Sequence, residues 1–229
     1  MKLTFREIDW KNQIVAFIGT ILGVIIALQL EDIQDERQSQ QRLNKTVINL
    51  DSEISKNLIS IDSASKSNEN WSKYLNFLIG KKVDNREIIL SNHELDSIQR
   101  LLPFYFTPNK QILNLNVKKV INDSLKLYSL AFFNSFQKPD ISEDNWEATK
   151  ESGVLLIMNP DQILFYTKIY KQFESLNDPN VLKYYWTVRN INSRKLDNLI
   201  EANPDVNSYQ IELWYCSDTI HSLLNDNKN

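Results

Sequence analysis

Residues 14–30 constrain this chain more than any other stretch, because they are the only part that a lipid bilayer accepts. The run I-V-A-F-I-G-T-I-L-G-V-I-I-A-L-Q-L contains no ionisable residue, and only Thr20 and Gln29 are polar. As a helix at about 1.5 Å per residue it spans about 25 Å, which is at the short end for crossing a hydrocarbon core. The run predicts an uncleaved transmembrane helix.

Two other interpretations fit the same run. One is the core helix of a soluble protein, although such a helix usually carries polar residues along one side. The other is a cleavable signal peptide, with a basic start at Lys2, Arg6 and Lys11 and cleavage after Ala27. The match to a signal peptide is poor, because Ile25 stands where a small residue is expected before the cleavage site.

Small residues gather on one face of this helix. At about 100° per residue, six small or polar side chains share one sector: Gln13, Ala16, Gly19, Thr20, Gly23 and Ala27. The spacing of Gly19, Gly23 and Ala27 lets helix backbones approach closely in lipid, where packing drives association. We expect this face to join a second copy of the chain or a partner membrane helix. Lining a narrow pore in a larger ring is the alternative.

The two ends of the span differ in charge. Lys11 lies just before it, and four acidic residues crowd its exit: Glu31, Asp32, Asp35 and Glu36. Lys2, Arg6 and Lys11 before the span nearly balance Arg37, Arg42 and Lys45 after it. Because cytoplasmic flanks are usually basic, the position of Lys11 favours an N-terminus inside and a C-terminal domain outside the cytoplasm; a cytoplasmic domain is the alternative. We interpret the acidic cluster as a solvated helix face; the alternative is a cation-attracting vestibule in an assembled ring. Residues 1–13 are predicted to form an amphipathic segment, with Trp10 at the membrane interface.

The remaining chain has the composition of a folded, helical protein. Of its 229 residues 42% are hydrophobic, but only four are glycine and six are proline, which leaves little material for the turns of a large sheet. A net charge of -3 gives no basic field for nucleic acid. Cys216 is the only cysteine in the sequence, which excludes an internal disulfide and a cysteine-based zinc site.

The predicted fold class is all-α: a transmembrane helix continues into a long connecting helix over residues 31–64, and a helical-bundle domain follows over residues 65–229. No Gly or Pro occurs between Val24 and Gly80, so the span and the connecting helix are expected to be one helix. An apolar stripe of heptad-like spacing follows this helix: Ile33, Leu43, Val47, Leu50, Ile54 and Ile61. Packing of the stripe within the chain is favoured over an intermolecular coiled coil, and Asn57 stands where an apolar residue is expected.

Beyond residue 64, polar stretches predict where the next helices begin and end. The polar stretch 65–70 is expected to interrupt the long helix before a short one that Gly80 ends. A helix over residues 93–102 follows, with Asn92 as its cap. Apolar residues 104–108 predict a core-filling connection, and residues 112–136 predict one long central helix.

Prolines mark the later helices. Asn159-Pro160 and Asp178-Pro179 each place a proline in the first turn of a helix, and the second of these helices is expected to run to Ala202. Pro204 is expected to separate it from a last helix over residues 207–224.

The sequence carries no motif for catalysis or metal binding. His93 and His221 belong to no metal-spaced cluster, and there is no phosphate-binding Gly-rich loop, no G-x-S-x-G and no HExxH. Cys216 is interpreted as a small buried residue and not as a reactive thiol. Five aromatic residues at helical spacing are interpreted as core, with a ligand cleft as the alternative: Tyr166, Tyr170, Tyr184, Tyr185 and Trp186. We therefore predict no cofactor, no metal and no catalytic residue.

Two segments resemble one family of bacterial membrane proteins of unknown function. The first is the exit of the span, Gly23-Val-Ile-Ile-Ala-Leu-Gln29, and the second is Trp146-Glu-Ala-Thr-Lys-Glu-Ser152-Gly153-Val-Leu-Leu-Ile157. They are similar to a span that ends in I-A-L-Q and to a downstream W-x-A-L-K-x-S-G-x-L segment. This chain departs from the family's Asn-Trp-Asn-type exit, and it has Thr149 in place of Leu. The resemblance implies a single-span helical protein, and it implies no activity.

The second segment also has a purely structural interpretation. Trp146 is expected to anchor a helix on the core, and Gly153 after Ser152 to give a left-handed cap that reverses the chain. A ligand-binding turn is the alternative.

Together these features predict a non-enzymatic protein of the bacterial inner membrane that oligomerises through its span. Its role would be that of a complex subunit, a scaffold or a sensor-like module. A pore or membrane-perturbing effector built from a ring of spans is the alternative function, and a sensor of a small ligand is a third. The expected partners are the lipid bilayer and a second copy or a partner membrane helix, with no nucleic acid.

Overall fold

The computed structural model describes residues 10–101, 113–132, 136–191 and 195–227. Its helices are α1 (Trp10–Gly80), α2 (Asn92–Leu101), α3 (Asp144–Glu151), α4 (Pro160–Leu176), α5 (Pro179–Arg189) and α6 (Leu196–Asp226). Its strands are β1 (Glu87–Ser91), β2 (Leu113–Val120) and β3 (Leu125–Phe132), and Val154–Leu156 forms a 3₁₀ turn. The fold is predominantly helical, as predicted. The predictions for residues 1–9 and for the connection 104–108 lie outside the described residues.

α1 is one uninterrupted helix of 71 residues, about 107 Å long. The expected break over residues 65–70 is wrong, and so is a division of the helix at residue 64. The polar stretch contains Asn68, which is fully buried with its amide hydrogen-bonded, so its polarity does not disrupt the helix. α1 therefore supplies both the candidate span and a large part of the bundle core.

The two ends of α1 have different surroundings. Residues 14–38 are exposed throughout, and the first fully buried side chain is that of Leu50. From there Ile54 and Ile61 of the predicted stripe lie in the core of the chain, whereas Ile33 remains 47% exposed. We call residues 31–42 the stalk, because they carry the bundle about 18 Å beyond Leu30.

The helical bundle forms around the C-terminal part of α1, from Leu50 onward. α6 lies antiparallel to it, since Ser217 Oγ donates to Asp62 Oδ1 at 2.9 Å and Gln210 Nε2 donates to Ser65 Oγ at 2.6 Å. α4 and α5 pack on α6, and their predicted starts at Pro160 and Pro179 are confirmed. In α4, Asn159 and Gln162 form a reciprocal capping box.

Two predicted boundaries near the end of the chain are wrong. The helix from residue 180 ends at Arg189 and does not reach Ala202, which belongs to α6. Pro204 lies inside α6 and does not divide it. Pro204 and Ile200 are both exposed, so water can hydrogen-bond the carbonyl that the proline leaves without a donor.

A small antiparallel sheet in the order β1-β3-β2 replaces the helix predicted over residues 112–136. The segment L-N-L-N-V has the two-residue period of a strand, which outweighs its helix-forming content. Between β2 and β3, Asn122 Oδ1 accepts the N–H groups of Ser124 and Leu125 at 2.9 and 2.8 Å, which closes the turn. β1 was not predicted, and it buries Ile88 and Leu90 beside Tyr128 of β3.

The cap of α2 also differs from the expectation. Ser91 Oγ accepts the N–H of Glu94 at 3.2 Å, and Glu94 Oε2 accepts the N–H of Ser91 at 2.9 Å. Ser91 and not Asn92 is therefore the residue whose side chain caps the helix.

An extended segment, residues 136–143, runs antiparallel along α1 and is held by side chains of that helix; we call it the clamped segment. Asn68 donates to the carbonyl of Gln137 at 2.8 Å and accepts its N–H at 2.7 Å. Nearer the N-terminus of α1, Asn57 donates to the carbonyl of Ser142 at 2.7 Å and accepts its N–H at 3.0 Å. These amide side chains pair with the segment's backbone as a neighbouring strand would, and so position α3 against α1.

Replacement of Asn68 by Ala is expected to destabilise the chain by about 1–3 kcal/mol, because it leaves two backbone groups of Gln137 without partners at a partly buried site. Thermal unfolding of the full chain in detergent, followed by circular dichroism, measures this loss. Asn44→Ala is the matched control, since Asn44 is exposed on the same helix. Equal stability of the two variants would contradict the clamp.

Candidate functional site

The candidate span is fully solvent-exposed within the chain. The described residues contain one helix that is long and apolar enough to cross a membrane, judged by length and composition, and none of its apolar window is buried. Eleven large hydrophobic side chains between Ile14 and Leu30 are 43% to 69% exposed. Soluble monomers rarely expose contiguous apolar surface on this scale, and by length and composition this segment could cross a membrane.

The predicted association residues Ala16, Gly19, Thr20, Gly23 and Ala27, which we call the small face, lie on this exposed helix. A Cβ atom added at Gly19 or Gly23 would meet no heavy atom within 4 Å. The hydroxyl of Thr20 donates to the carbonyl of Ala16 at 2.9 Å and so needs no partner from another helix. The small face is therefore open to a neighbour, and no packing inside the chain explains its glycines.

The acidic exit cluster lies on the stalk, and its four residues are exposed: Glu31, Asp32, Asp35 and Glu36. At about 100° per residue their mean direction is roughly 130° away from that of the small face. No group of three or more His, Cys, Asp and Glu side chains in the described residues has a geometry that could hold a metal ion. The structure thus places the cluster beside the small face along α1 but on another side of the helix.

Higher on α1, the carboxylate of Glu53 is buried, with 4% of the residue exposed. Its Oε1 accepts the hydroxyl of Ser142 at 2.8 Å and the backbone N–H of Asn145 at 3.0 Å. Its Oε2 accepts the hydroxyl of Tyr170 at 2.5 Å. Glu53 therefore joins the clamped segment, the start of α3 and α4 at one point, a role that the sequence did not reveal.

Trp146 packs where the sequence placed it, on the core. Its ring stacks on that of Tyr170 with centroids 5.1 Å apart and planes 7° apart. Burial and then the hydrogen bond to Glu53 raise the pKa of the Tyr170 phenol, so the hydroxyl stays a donor. Of the five aromatics interpreted as core, Tyr166 and Tyr170 are buried, Tyr184 and Tyr185 are partly buried, and Trp186 is 53% exposed.

The turn after α3 has the predicted geometry. Gly153 adopts φ 73°, a left-handed conformation that favours glycine, and Ser152 donates its N–H to Ala148 and its hydroxyl to Thr149, both at 3.0 Å. The turn directs the chain into Val154, which is buried. Trp146, Ser152 and Gly153 thus lie at one short helix, and their resemblance to a family remains a prediction.

Two cavities flank α3. One, of about 390 Å³, lies between α1 and α3 and includes Arg42, Lys45 and Ser152 in its wall. The other, of about 350 Å³, lies between α3 and α4 and includes Trp146 and Tyr170. The wall of the first cavity includes two cations and no carboxylate, and that of the second includes three glutamates and two lysines.

The acidic character of the second cavity affects Glu143. Burial, followed by the nearby charges of Glu174 and Glu147, raises the pKa of its carboxyl above the usual value, and Lys150 opposes this only in part. Like charges that are close together disfavour the ionised form. Both effects favour the protonated form of Glu143.

Neither histidine nor the cysteine forms a reactive site. His93 and His221 are exposed on α2 and α6, separate elements of the fold. Cys216 is buried, its thiol donates to the carbonyl of Gln172 at 3.4 Å, and burial followed by the charge of Glu212 raises its pKa to about 12. A thiol with such a pKa is protonated at neutral pH and is a poor nucleophile.

No protein-family model matches the chain, and neither the curated proteins nor the solved structures include a match.

Glu143→Gln is expected to stabilise the chain at pH 7 and to change nothing below about pH 4. A carboxyl whose pKa is raised in the folded state destabilises that state once it ionises, so the gain should develop as the pH rises above the ordinary value of 4.5. Thermal unfolding at a series of pH values measures it. Glu201→Gln, at an exposed position of α6, is the control, and a gain of equal size at pH 4 and pH 7 would contradict the assignment.

Proposed function

We propose that this chain is a non-enzymatic, single-span protein of the bacterial inner membrane that associates through its small face. In this proposal it holds a helical bundle outside the cytoplasm and works as a complex subunit, a scaffold or a sensor-like module. Its partner in the membrane is a second copy of the chain or the helix of another protein.

The continuity of α1 carries this proposal. One helix without a break contains the exposed apolar run at residues 14–30 and the buried core residues Leu50, Ile54 and Ile61. Because a continuous helix is stiff over this length, whatever the small face contacts in lipid sets the position of the bundle about 18 Å above the membrane. An arrangement of this kind suits an assembly or signalling role better than a reaction.

A pore is the second candidate, and the acidic exit cluster is the observation that favours it. A ring of such clusters would concentrate cations at the mouth of a channel. The helical phase argues against this, since a pore lined by the small face would turn the cluster roughly 130° away from the pore axis. Association without conduction is therefore the better-supported function.

Substitution of both Gly19 and Gly23 by Ile is expected to dissociate the assembly into single chains in detergent. A Cβ atom added at either glycine meets no neighbouring heavy atom within 4 Å, so a change in size reports a contact between chains. Light scattering coupled to size exclusion measures the mass of the protein. Ile21→Ala with Ile25→Ala alters the opposite side of the span and should leave the mass unchanged.

The same measurement separates the two candidates, because a pore needs at least about four or five chains, whereas a scaffold can be a dimer. An unchanged mass in the Gly19→Ile, Gly23→Ile variant would count against the small face as the seam of the assembly.

A reporter fused after Asn229 tests the orientation. An enzyme that is active only outside the cytoplasm, such as alkaline phosphatase, should be active in this fusion, because Lys11 precedes the span, the acidic cluster follows it, and basic flanks usually stay in the cytoplasm. A cytoplasm-active reporter in the same position provides the reciprocal control. Activity of the cytoplasmic reporter alone would reverse the orientation and leave the span itself unaffected.

A further inference from the structure

The cavity between α1 and α3 brings two cations to one recess of about 390 Å³. Arg42 and Lys45 come from α1, where the stalk meets the bundle, and Thr46 and Asn49 follow on the next turn. Ala148 and the buried Val154 give the recess a small apolar surface. Its volume lies within the range of about 300–1,000 Å³ that is usual for small-molecule sites.

Charge distinguishes this cavity from its neighbour. Its wall contains no carboxylate, and among the residues that the structure describes neither Arg42 nor Lys45 belongs to an ion pair. Other lysines of the chain do have such partners, for example Lys150 with Glu147. The two cations are therefore available to a charged ligand.

The end of α3 does not use these cations as a cap. The carbonyl of Ala148 accepts the N–H of Ser152 at 3.0 Å, and that of Thr149 accepts the Ser152 hydroxyl at 3.0 Å. The carbonyl of Asn145 accepts the Thr149 hydroxyl at 2.6 Å. These hydrogen bonds lie within α3 and its turn, and none of them involves Arg42 or Lys45.

We propose that this cavity binds a small oxyanion, a phosphate or a carboxylate group, between Arg42 and Lys45. Guanidinium and ammonium groups form their strongest hydrogen bonds with such oxygens, and Asn49 and Thr46 add an amide and a hydroxyl donor. The bound anion lies in the recess between α1 and α3 and is held by donors of α1. The site is independent of the small face. In the proposed sensor-like role, the ligand would be this small oxyanion.

A dissolved anion fits better than a lipid headgroup. Arg42 lies 12 residues beyond Leu30, about 18 Å along α1, whereas the headgroup layer extends only about 5–8 Å beyond the hydrocarbon core. The phosphates of the membrane that holds the span are therefore out of reach of this cavity.

The test uses the full chain in detergent, with sodium phosphate as the probe and sodium chloride at equal ionic strength as the reference. Phosphate should raise the thermal midpoint of the wild-type chain, because a ligand that binds only the folded state stabilises it. Arg42→Gln with Lys45→Gln should lose this shift, and calorimetry should show affinity reduced at least about tenfold. Lys56→Gln with Lys66→Gln is the matched control: it removes two exposed cations at least 11 residues further along α1 and should keep the shift.

A second variant keeps the charges and fills the recess. Ala148→Leu places a larger side chain in the cavity wall and should also abolish the phosphate shift, while circular dichroism without phosphate checks its folding. Equal shifts in the wild type and in all three variants would overturn the site, as would the absence of any shift in the wild type. Binding to anionic vesicles without any response to phosphate would likewise overturn it. The mass of each sample in detergent reports separately on the small face.

Discussion

The arrangement of the bundle depends on buried polar side chains of α1 that take the place of a neighbouring strand. The clamped segment has extended backbone whose N–H and C=O groups point at a helix, and a helix has no free backbone groups to offer them. Asn57 and Asn68 resolve this because an amide side chain carries one donor and one acceptor, the same pair that a strand presents. Apolar residues at the same positions would leave these backbone groups unpaired beside the core.

This clamp fixes α3, and Glu53 extends it to α4. Among the residues described, no cation pairs with that buried carboxylate, and its hydrogen-bond donors come from Ser142, Asn145 and Tyr170. An anion held by neutral donors contributes less to stability than to uniqueness, because each donor must occupy one position. Tyr170 then carries the constraint to Trp146 through their stacked rings. The two cavities on either side of α3 owe their shapes to this set of contacts.

Local signals in the sequence were sufficient for much of the fold and failed where the partner was distant. The absence of Gly and Pro predicts that the span and residues 31–64 form one helix, although α1 in fact continues to Gly80. The Asn-Pro and Asp-Pro pairs predict the starts of α4 and α5, and Gly153 predicts a left-handed turn. The signals for these starts and for the turn depend on a few adjacent residues. The two-residue period of β2 was also present in the sequence, but it was interpreted as part of a longer helix.

The polar residues of α1 show the limit more clearly. Asn57 was conspicuous in the apolar stripe, yet its partner Ser142 is 85 residues away, and nothing near Asn57 identifies that partner. The polarity of Asn68 and its neighbours predicts a break in the helix, because the partner of Asn68, Gln137, is likewise distant in the sequence. The cavity between α1 and α3 could not be predicted from the sequence either, because Arg42 and Ser152 line it together but are far apart in the chain. The small face, in contrast, could be predicted from the helical repeat alone.

The phase of α1 makes folding and the proposed association compatible. On an ideal helix the small face and the stripe of Leu50, Ile54 and Ile61 point in nearly opposite directions. Two parallel α1 helices joined at their small faces would therefore carry their bundles on the outside of the pair, where the bundles do not collide. The acidic clusters at the membrane surface would also point away from the seam, so their like charges stay apart. A shift of the small face by half a helical turn would bring both bundles into the seam. The direction of the small face around the helix therefore limits the association of two chains as much as the composition of the span does.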